Sequence, residues 1–181
     1  MAVPTLSGNL INLRQPRRAD ADMIQRNANH RDVARFVPCL PNPYTARDAR
    51  MWINHCFLVA RRGGEYQFGI EDKVSRCIIG MIGLHRVNRT DRNAEVGYWL
   101  GRRYWNRGFV TEALRLIAQY SFGSLKLVRV YAIVLDTNTA SIRALEKTGF
   151  VRESVMRQAS FHGRRWHNVY GYGLLAKEFR R

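Results

Sequence analysis

The chain has 181 residues, of which 46% are hydrophobic and 24% are charged, and these proportions exclude wholesale disorder, collagen and coiled coils. Lys and Arg number 30 against 14 Asp and Glu, so the formal net charge is +16, which favours anionic partners and disfavours polycationic substrates. The arginines are scattered without a basic tail, so a compositional preference for arginine explains the charge equally well. We expect one domain over residues 1–181, in the cytoplasm, because no stretch resembles a membrane span or a signal peptide.

The first elements predicted in chain order are a short strand and two helices. Residues 10–13 form the strand, and residues 20–29 have a composition compatible with a helix. A proline-rich segment then imposes an irregular connection. Thr45, with Asp48 three residues later, resembles a capping box and predicts the start of a second helix, which Gly63-Gly64 would end.

The middle of the chain predicts three strands and the most regular helix. Strands are expected over residues 66–70, 77–84 and 94–100, which are rich in aromatic and aliphatic side chains. Residues 110–122 carry apolar side chains at the spacing of a helix with one buried face.

The last third of the chain predicts a strand, a helix and a hairpin. Residues 127–135 are strongly apolar and indicate a buried strand, after which Asn138 can cap a helix that runs to about residue 148. Residues 150–160 and 166–175 are expected to be two strands joined by residues 162–165. The order of elements predicts an α+β (α/β-like) fold with a mixed, mostly antiparallel sheet and about four helices.

The cysteines give no sign of a disulfide framework or a metal site. Cys39, Cys56 and Cys77 are odd in number and far apart, and no CxxC pair occurs. His162 and His167 offer no convincing ligand spacing either. We therefore predict no metal cofactor.

The segment 94–113 contains a candidate anion site. A strand ends near Leu100, a basic turn follows over residues 102–107, and a helix begins just after Gly108. The first N–H groups of a helix have no partner within the helix, and the helix dipole adds positive potential there. Such a turn favours phosphate binding, although a plain strand-to-helix turn has the same appearance.

Two motifs together resemble the GCN5-related N-acetyltransferase (GNAT) family. Residues 105–110 (WNRGFV) resemble its motif Q/R-x-x-G-x-G/A, with Trp and Val at the two departing positions. The following Thr-Glu-Ala is similar to the RimJ/RimL-type branch, which acetylates ribosomal-protein N-termini. The same branch has N-x-x-S-x-x-x-x-x-K-x-G-F, which is matched by Asn138, Ser141, Lys147, Gly149 and Phe150.

The resemblance implies a GNAT fold whose sheet splays open centrally, with acetyl-CoA in the opening. The pyrophosphate is expected on backbone amides of five residues, Arg107, Gly108, Phe109, Val110 and Thr111. The pantetheine arm is expected to lie along Tyr98, Trp99 and Leu100, where an amide would polarise the thioester carbonyl. Further cofactor contacts are expected from Asn138, Ser141, Arg102, Arg103 and Lys147.

The resemblance also implies direct acetyl transfer to an amine. The acceptor arrives mostly protonated at neutral pH and must lose a proton before it attacks. Glu95 is the candidate base, acting directly or through water, and its alternative is a surface ion pair. The departing thiolate needs a proton donor. Because the usual tyrosine position of the family corresponds here to Leu145, we expect Ser141 in that role, with Tyr98 in reserve.

The acceptor site is expected between residues 31–44 and the final hairpin. Its candidate lining residues are Arg35, Phe36, Tyr44, Phe161 and Trp166. Asn168 stands where the branch commonly has Asp. The absence of that carboxylate would weaken the binding of a cationic acceptor. The most favoured acceptor is a protein N-terminal α-amine, and the alternatives are a small amine (amino acid, amino sugar or aminoglycoside) or a non-catalytic RNA- or ribosome-binding role. We expect a monomer or homodimer that does not bind membranes and that works close to the ribosome or RNA.

Overall fold

The computed structural model describes residues 3–37, 40–62 and 64–180. Its strands are β1 (Leu6–Ser7), β2 (Ile11–Arg14), β3 (Tyr66–Asp72), β4 (Ile78–Asn88), β5 (Asn93–Leu100), β6 (Arg129–Leu135), β7 (Val151–His162) and β8 (Arg165–Leu175). Its helices are α1 (Ala21–Ala28), α2 (Arg31–Ala34), α3 (Ala46–Arg62), α4 (Phe109–Gly123) and α5 (Thr139–Lys147). The predicted fold class is confirmed, whereas Cys39 and Gly63 lie outside the described residues.

All eight strands form one sheet in the order β1-β2-β3-β4-β5-β6-β8-β7. Every neighbouring pair is antiparallel except β5 and β6, which run parallel. The parallel register covers only Asn93–Glu95 of β5 against Arg129–Tyr131 of β6. Beyond Glu95 the two strands part, so the sheet has the central opening that was predicted.

Helices cover both faces of the sheet. On one face α4 packs on the buried side chains of β4 and β5, and its own buried residues include Leu114 and Ile117. On the other face α1 and α3 pack together over Ile78 and Met81 of β4. The capping box at the start of α3 is confirmed, because Thr45 and Asp48 exchange side-chain and backbone hydrogen bonds of 2.6–3.3 Å.

The N-terminal hairpin is tied to the start of α4 by one carboxylate. Glu112 accepts hydrogen bonds from the backbone N–H groups of Asn9, Leu10 and Ile11, at 2.5, 2.8 and 3.1 Å. A Cβ at Gly8 would lie 2.6 Å from the Glu112 Cδ, so the hairpin approaches the helix closely. The Glu of the Thr-Glu-Ala segment therefore positions the first turn of α4.

The structure corrects three sequence-based expectations. The two-residue strand β1 and the one-turn helix α2 were not predicted, and α2 brings the α-helices among the described residues to five. Both elements are too short to show a hydrophobic period. The final hairpin is tighter than expected, since β7 and β8 extend to His162 and Arg165 and leave a two-residue turn. Gly163 and Arg164 have φ of 58° and 63°, as such turns require. No helix in the described ranges is long and apolar enough to cross a membrane.

Candidate active site

A cavity of about 470 Å³, here called the wedge cavity, lies where β5 and β6 part. One wall is the end of β5, with Tyr98 and Leu100, and another is the loop that leads into α4. The start of α5, including Asn138 and Ser141, forms the third wall. The two segments that carry the sequence motifs therefore face the same space.

The first turn of α4 presents its backbone to this cavity. Gly108 precedes the helix with φ 83° and ψ −10°, a left-handed conformation that costs a residue with a Cβ about 1–2 kcal/mol. A Cβ there would meet only Leu10 Cδ1, at 3.8 Å, so the backbone conformation rather than space calls for glycine. Glu112 N–H donates to Gly108 O at 3.0 Å, and the N–H groups before it have no partner within the helix. The turn can therefore bind a phosphate.

Three cationic side chains line the wedge cavity: Arg107, Arg143 and Lys147. Arg143 was missed, because a single arginine in the second turn of a helix carries no distinguishing signal in the sequence. Arg107 lies with its guanidinium carbon 5.3 Å from the centroid of the Phe109 ring. These charges surround the same helix N-terminus and strengthen its preference for an anion.

Arg102 and Arg103 were predicted at the phosphates, but the structure does not place them on the cavity wall. Arg102 Nε lies 3.0 Å from Asp32 Oδ2 on α2, and its guanidinium covers the Trp105 ring at 4.9 Å. Arg103 covers the ring of Tyr104 at 4.7 Å. Arg102 therefore connects the loop before α4 to α2.

Trp105, which departs from the family motif, has a local function in the loop. Gly101 N–H donates to Ile79 O, so the backbone N–H of Gly101 points toward β4. The backbone N–H and C=O groups of successive residues in a strand point to opposite edges of that strand. The Leu100 carbonyl consequently points toward the wedge cavity, where the Trp105 indole N–H donates to it at 2.7 Å. By the same alternation the backbone of Tyr98 faces the opening beyond the last β5–β6 pair, and that of Trp99 faces β4.

A partly buried hydroxyl pair crosses the wedge cavity between β5 and α5. The Tyr98 hydroxyl lies 2.6 Å from Ser141 Oγ. Burial raises the pKa of Tyr98 well above its usual range, outweighing the lowering by the hydrogen bond to Ser141, so the phenol keeps its proton at neutral pH. Ser141 N–H donates to Asn138 Oδ1 at 3.2 Å, which caps α5, and Asn138 itself lines the cavity.

Glu95 does not lie on the lining of the wedge cavity. Its carboxylate is 3.0 Å from Arg86 Nη1, the ion pair that was the alternative to a base. Trp99 is four positions along β5 from Glu95, a distance of about 13 Å. Any proton transfer from the end of β5 to this carboxylate would need water between them.

A second cavity of about 980 Å³, here called the acceptor cavity, adjoins the wedge cavity. One wall is formed by residues 29–35 and the other by the end of β6 with the β7–β8 hairpin. The two cavities are separated by two short segments of the chain. In the first segment Val33 lines the wedge cavity and Ala34 lines the acceptor cavity. In the second, Asn138 lines the wedge cavity and Thr137 lines the acceptor cavity. A ligand in one cavity would therefore be close to a ligand in the other.

Of the five residues predicted for the acceptor site, only Arg35 lines the acceptor cavity. Phe36 lines the wedge cavity instead, with its ring centroid 6.3 Å from that of Trp105. Tyr44 is buried with residues of α1 and α3 and lines neither cavity. Phe161 and Trp166 are each 61% exposed and pack on one another as a cross-strand pair. Side chains alternate along a strand, so the neighbouring residues of that hairpin, rather than these two, reach the cavity.

The neighbours that do line the cavity include His162, Arg165 and His167. His167 Nε2 lies 3.1 Å from the carbonyl oxygen of His162, and its Nδ1 lies 3.7 Å from Asp136 Oδ1 at the end of β6. The other oxygen, Asp136 Oδ2, accepts a hydrogen bond from Asn168 N–H at 3.3 Å. Asp136 therefore adds one hydrogen bond and one longer contact at the end of the β6–β8 ladder, which itself holds the hairpin against β6. Among the described residues no group of three or more metal-binding side chains is assembled.

Comparison with known proteins identifies the family. The model of the acetyltransferase (GNAT) domain matches residues 11–151. The uncharacterized N-acetyltransferase p20 of Bacillus licheniformis is 32% identical over 97% of this chain and 98% of its own length. The ribosomal-protein-serine acetyltransferase of Escherichia coli is 27% identical over 71% of this chain and 70% of its own length.

A solved structure carries a different acceptor on the same fold. Spermidine N-acetyltransferase from Vibrio cholerae, in complex with CoA and spermine, superposes with a TM-score of 0.81 over 94% of this chain and 98% of its own. Its sequence is 23% identical, so this likeness shows the fold alone. The domain match and the relative in Bacillus licheniformis together settle the family, and the chain belongs to the GNAT family of acetyl-CoA-dependent N-acetyltransferases.

Proposed function

We propose that the protein transfers the acetyl group of acetyl-CoA directly to the α-amine of a protein N-terminus. The observation that carries the proposal is the junction of the two cavities at Val33–Ala34 and Thr137–Asn138. It brings an anion-binding helix N-terminus and a large, open cavity to the same place. The resemblance to the ribosomal-protein branch supports a polypeptide acceptor.

The residues at the wedge cavity fit the cofactor. The N–H groups at the start of α4, next to Gly108, would hold the pyrophosphate, with Arg107, Arg143 and Lys147 around it. The backbone of Tyr98 would pair with the pantetheine arm at the edge that β6 leaves open. Bound acetyl-CoA supplies the activated acetyl group, and an amide at this edge would stabilise negative charge on its carbonyl oxygen.

The reaction requires two proton transfers, one to the leaving thiolate and one away from the acceptor ammonium. Ser141 would give a proton to the leaving thiolate and be resupplied by the protonated Tyr98 phenol, 2.6 Å away. The acceptor ammonium would lose its proton through water, with Glu95 as the terminal carboxylate, since Glu95 lies about 13 Å down β5 from Trp99. In this proposal the cavity junction brings the amine close to the thioester, and the reaction does not depend on a single base in contact with the amine.

The test is acetylation of peptides by the purified chain, followed by mass spectrometry that assigns the modified nitrogen. Pairs of peptides that differ only in a free or a blocked N-terminus are compared with amino acids, amino sugars and spermidine. We expect transfer only to free N-termini. Transfer to a small amine at higher kcat/KM than to every peptide would overturn the choice of acceptor while leaving the acetyltransferase activity intact.

Two alternatives to this proposal are a non-catalytic RNA-binding role and acetylation of polyamines. A non-catalytic RNA-binding role does not agree with the membership of this family, and net positive charge disfavours polyamine acceptors. Proximity to the ribosome or RNA, a monomeric or dimeric state and cytoplasmic localisation stay predictions. Sedimentation with purified ribosomes at increasing salt would test the first of them.

A further inference from the structure

Both walls of the acceptor cavity carry arginines. Arg31 and Arg35 lie on the α2 wall, and Arg165 lies on the opposite wall, at the start of β8. They come from segments about 130 residues apart in the chain, so the fold rather than a local basic run brings them to one cavity. The cavity walls therefore carry a cluster of positive charge that no single segment of the chain supplies.

Arg31, Arg35 and Arg165 have no carboxylate partner in the part of the chain that the structure describes. Within residues 3–37, 40–62 and 64–180, no ion pair within 4.0 Å involves Arg31, Arg35 or Arg165. Elsewhere, Arg86 and Arg129 pair with Glu95 and Glu153. The arginines of the cavity are exposed and therefore available to a ligand.

The cavity offers almost no compensating negative charge. Asp32 is the one carboxylate among its lining residues, and its Oδ2 already lies 3.0 Å from Arg102 Nε. Like charges gathered in a concave site focus positive potential into it, which raises the local concentration of anionic ligands. An acceptor with further cations near its amine would be repelled.

Geometry then decides where on the acceptor the negative charge must lie. An amine that reaches the wedge cavity passes the junction at Ala34 and Thr137, so the part of the acceptor directly behind the amine lies between the arginine-bearing walls. We propose that the preferred acceptor is an acidic protein N-terminus, with Asp or Glu in the first few positions after the reacting residue. This inference rests on the proposed function and adds the substrate class to it.

The test compares three peptides with the same first residue and length, followed by acidic, neutral amide or basic residues. Rates are measured at saturating acetyl-CoA, and mass spectrometry confirms that the N-terminus is the modified site. We expect kcat/KM to be about tenfold higher for the acidic than for the neutral peptide, lowest for the basic one, and the differences to shrink with added salt. Equal rates for all three peptides would overturn this inference and leave the proposed function standing. Absence of transfer to any peptide, with transfer to a small amine, would overturn both.

Charge reversal within the chain provides the matched control. Arg35→Glu and Arg165→Glu should each reduce the preference for the acidic peptide without abolishing it, because each replaces one positive charge of the cavity with a negative one while the other arginines remain. Arg115→Glu makes the same change in net charge at an exposed position of α4, outside the cavity lining, and should leave the order of peptides unchanged. An equal effect of Arg115→Glu would show that the overall +16 charge, and not the cavity, selects the acceptor, which would overturn the proposal.

Discussion

The wedge cavity and the acceptor cavity meet at one junction but are lined by different parts of the chain, mainly backbone in the first and side chains in the second. The wedge cavity presents mainly backbone: the strand edge at Tyr98 and the helix start at Gly108. The acceptor cavity presents side chains from α2 and from the β7–β8 hairpin, which only the tertiary fold brings together. A site made of backbone can be retained while most side chains change, whereas a site made of side chains changes with each substitution.

This difference predicts how the two cavities respond to mutation. The wedge cavity should fail abruptly when one residue alters the backbone or fills the anion site. The acceptor cavity should respond in small steps, because several side chains share the contact with the ligand. Three experiments test this contrast, from the largest expected effect to the smallest.

Gly108→Glu should have the largest effect. The new carboxylate would stand at the helix N-terminus that is proposed to hold the pyrophosphate, and we expect acetyl-CoA affinity to fall by at least about a hundredfold. Isothermal titration calorimetry measures the loss, with desulfo-CoA and ATP as reference ligands. Gly123→Glu, at the open end of the same helix, is the control and should bind normally. Unchanged affinity in folded Gly108→Glu protein would show that the pyrophosphate lies elsewhere.

Ser141→Ala and Tyr98→Phe should lower kcat by about tenfold to a hundredfold each, with acetyl-CoA affinity unchanged. Because the two hydroxyls form one pair, the double variant should lose little more than either single variant. The pKa of Tyr98 is raised by burial, so its proton is retained as the pH rises through the usual tyrosine value of about 10. Wild-type kcat should therefore not fall between about pH 8 and 10 through loss of this proton. A weaker affinity for acetyl-CoA with unchanged kcat would instead make Ser141 a cofactor contact.

Asp136→Ala should have the smallest effect and only on the acceptor side. Without the contact to His167, the hairpin loses one of its connections to β6, and we expect KM for the best peptide to rise about threefold. Hydrogen exchange at residues 162–165 should become faster, while acetyl-CoA affinity stays the same. Asp91→Ala, in the β4–β5 turn, removes a comparable local carboxylate contact and serves as the control. Slower or unchanged exchange at the hairpin would contradict the role given to Asp136.

The wedge cavity was largely predictable because its signals are local. The glycine before α4, the cap at Asn138 and the end of β5 at Leu100 are each readable within a few residues, and all three reach the same cavity. Arg102 and Arg103 were predicted at the phosphates but do not line the cavity, because a basic turn does not reveal which side chains find partners elsewhere. The Asp32 carboxylate that holds Arg102 is 70 residues away in the chain.

The acceptor cavity was predictable only as a region. Residues 31–44 and the final hairpin do provide its walls, but Tyr44, Phe161 and Trp166 point elsewhere. The strand alternation of the hairpin decides between Trp166 and His167, and a shift of one residue in register would reverse that choice. No feature of the sequence gives that register.

The sequence by itself determined the order of the longer elements, the caps of α3 and α5, the family and its cofactor, because these depend on residue type and short spacing. Only the tertiary structure decided that Tyr98 meets Ser141, that Arg102 pairs with Asp32, and that Arg31, Arg35 and Arg165 face one cavity. Such contacts join residues that are far apart in the chain. Their geometry is set by sheet register and helix packing, which emerge only when the whole core is assembled.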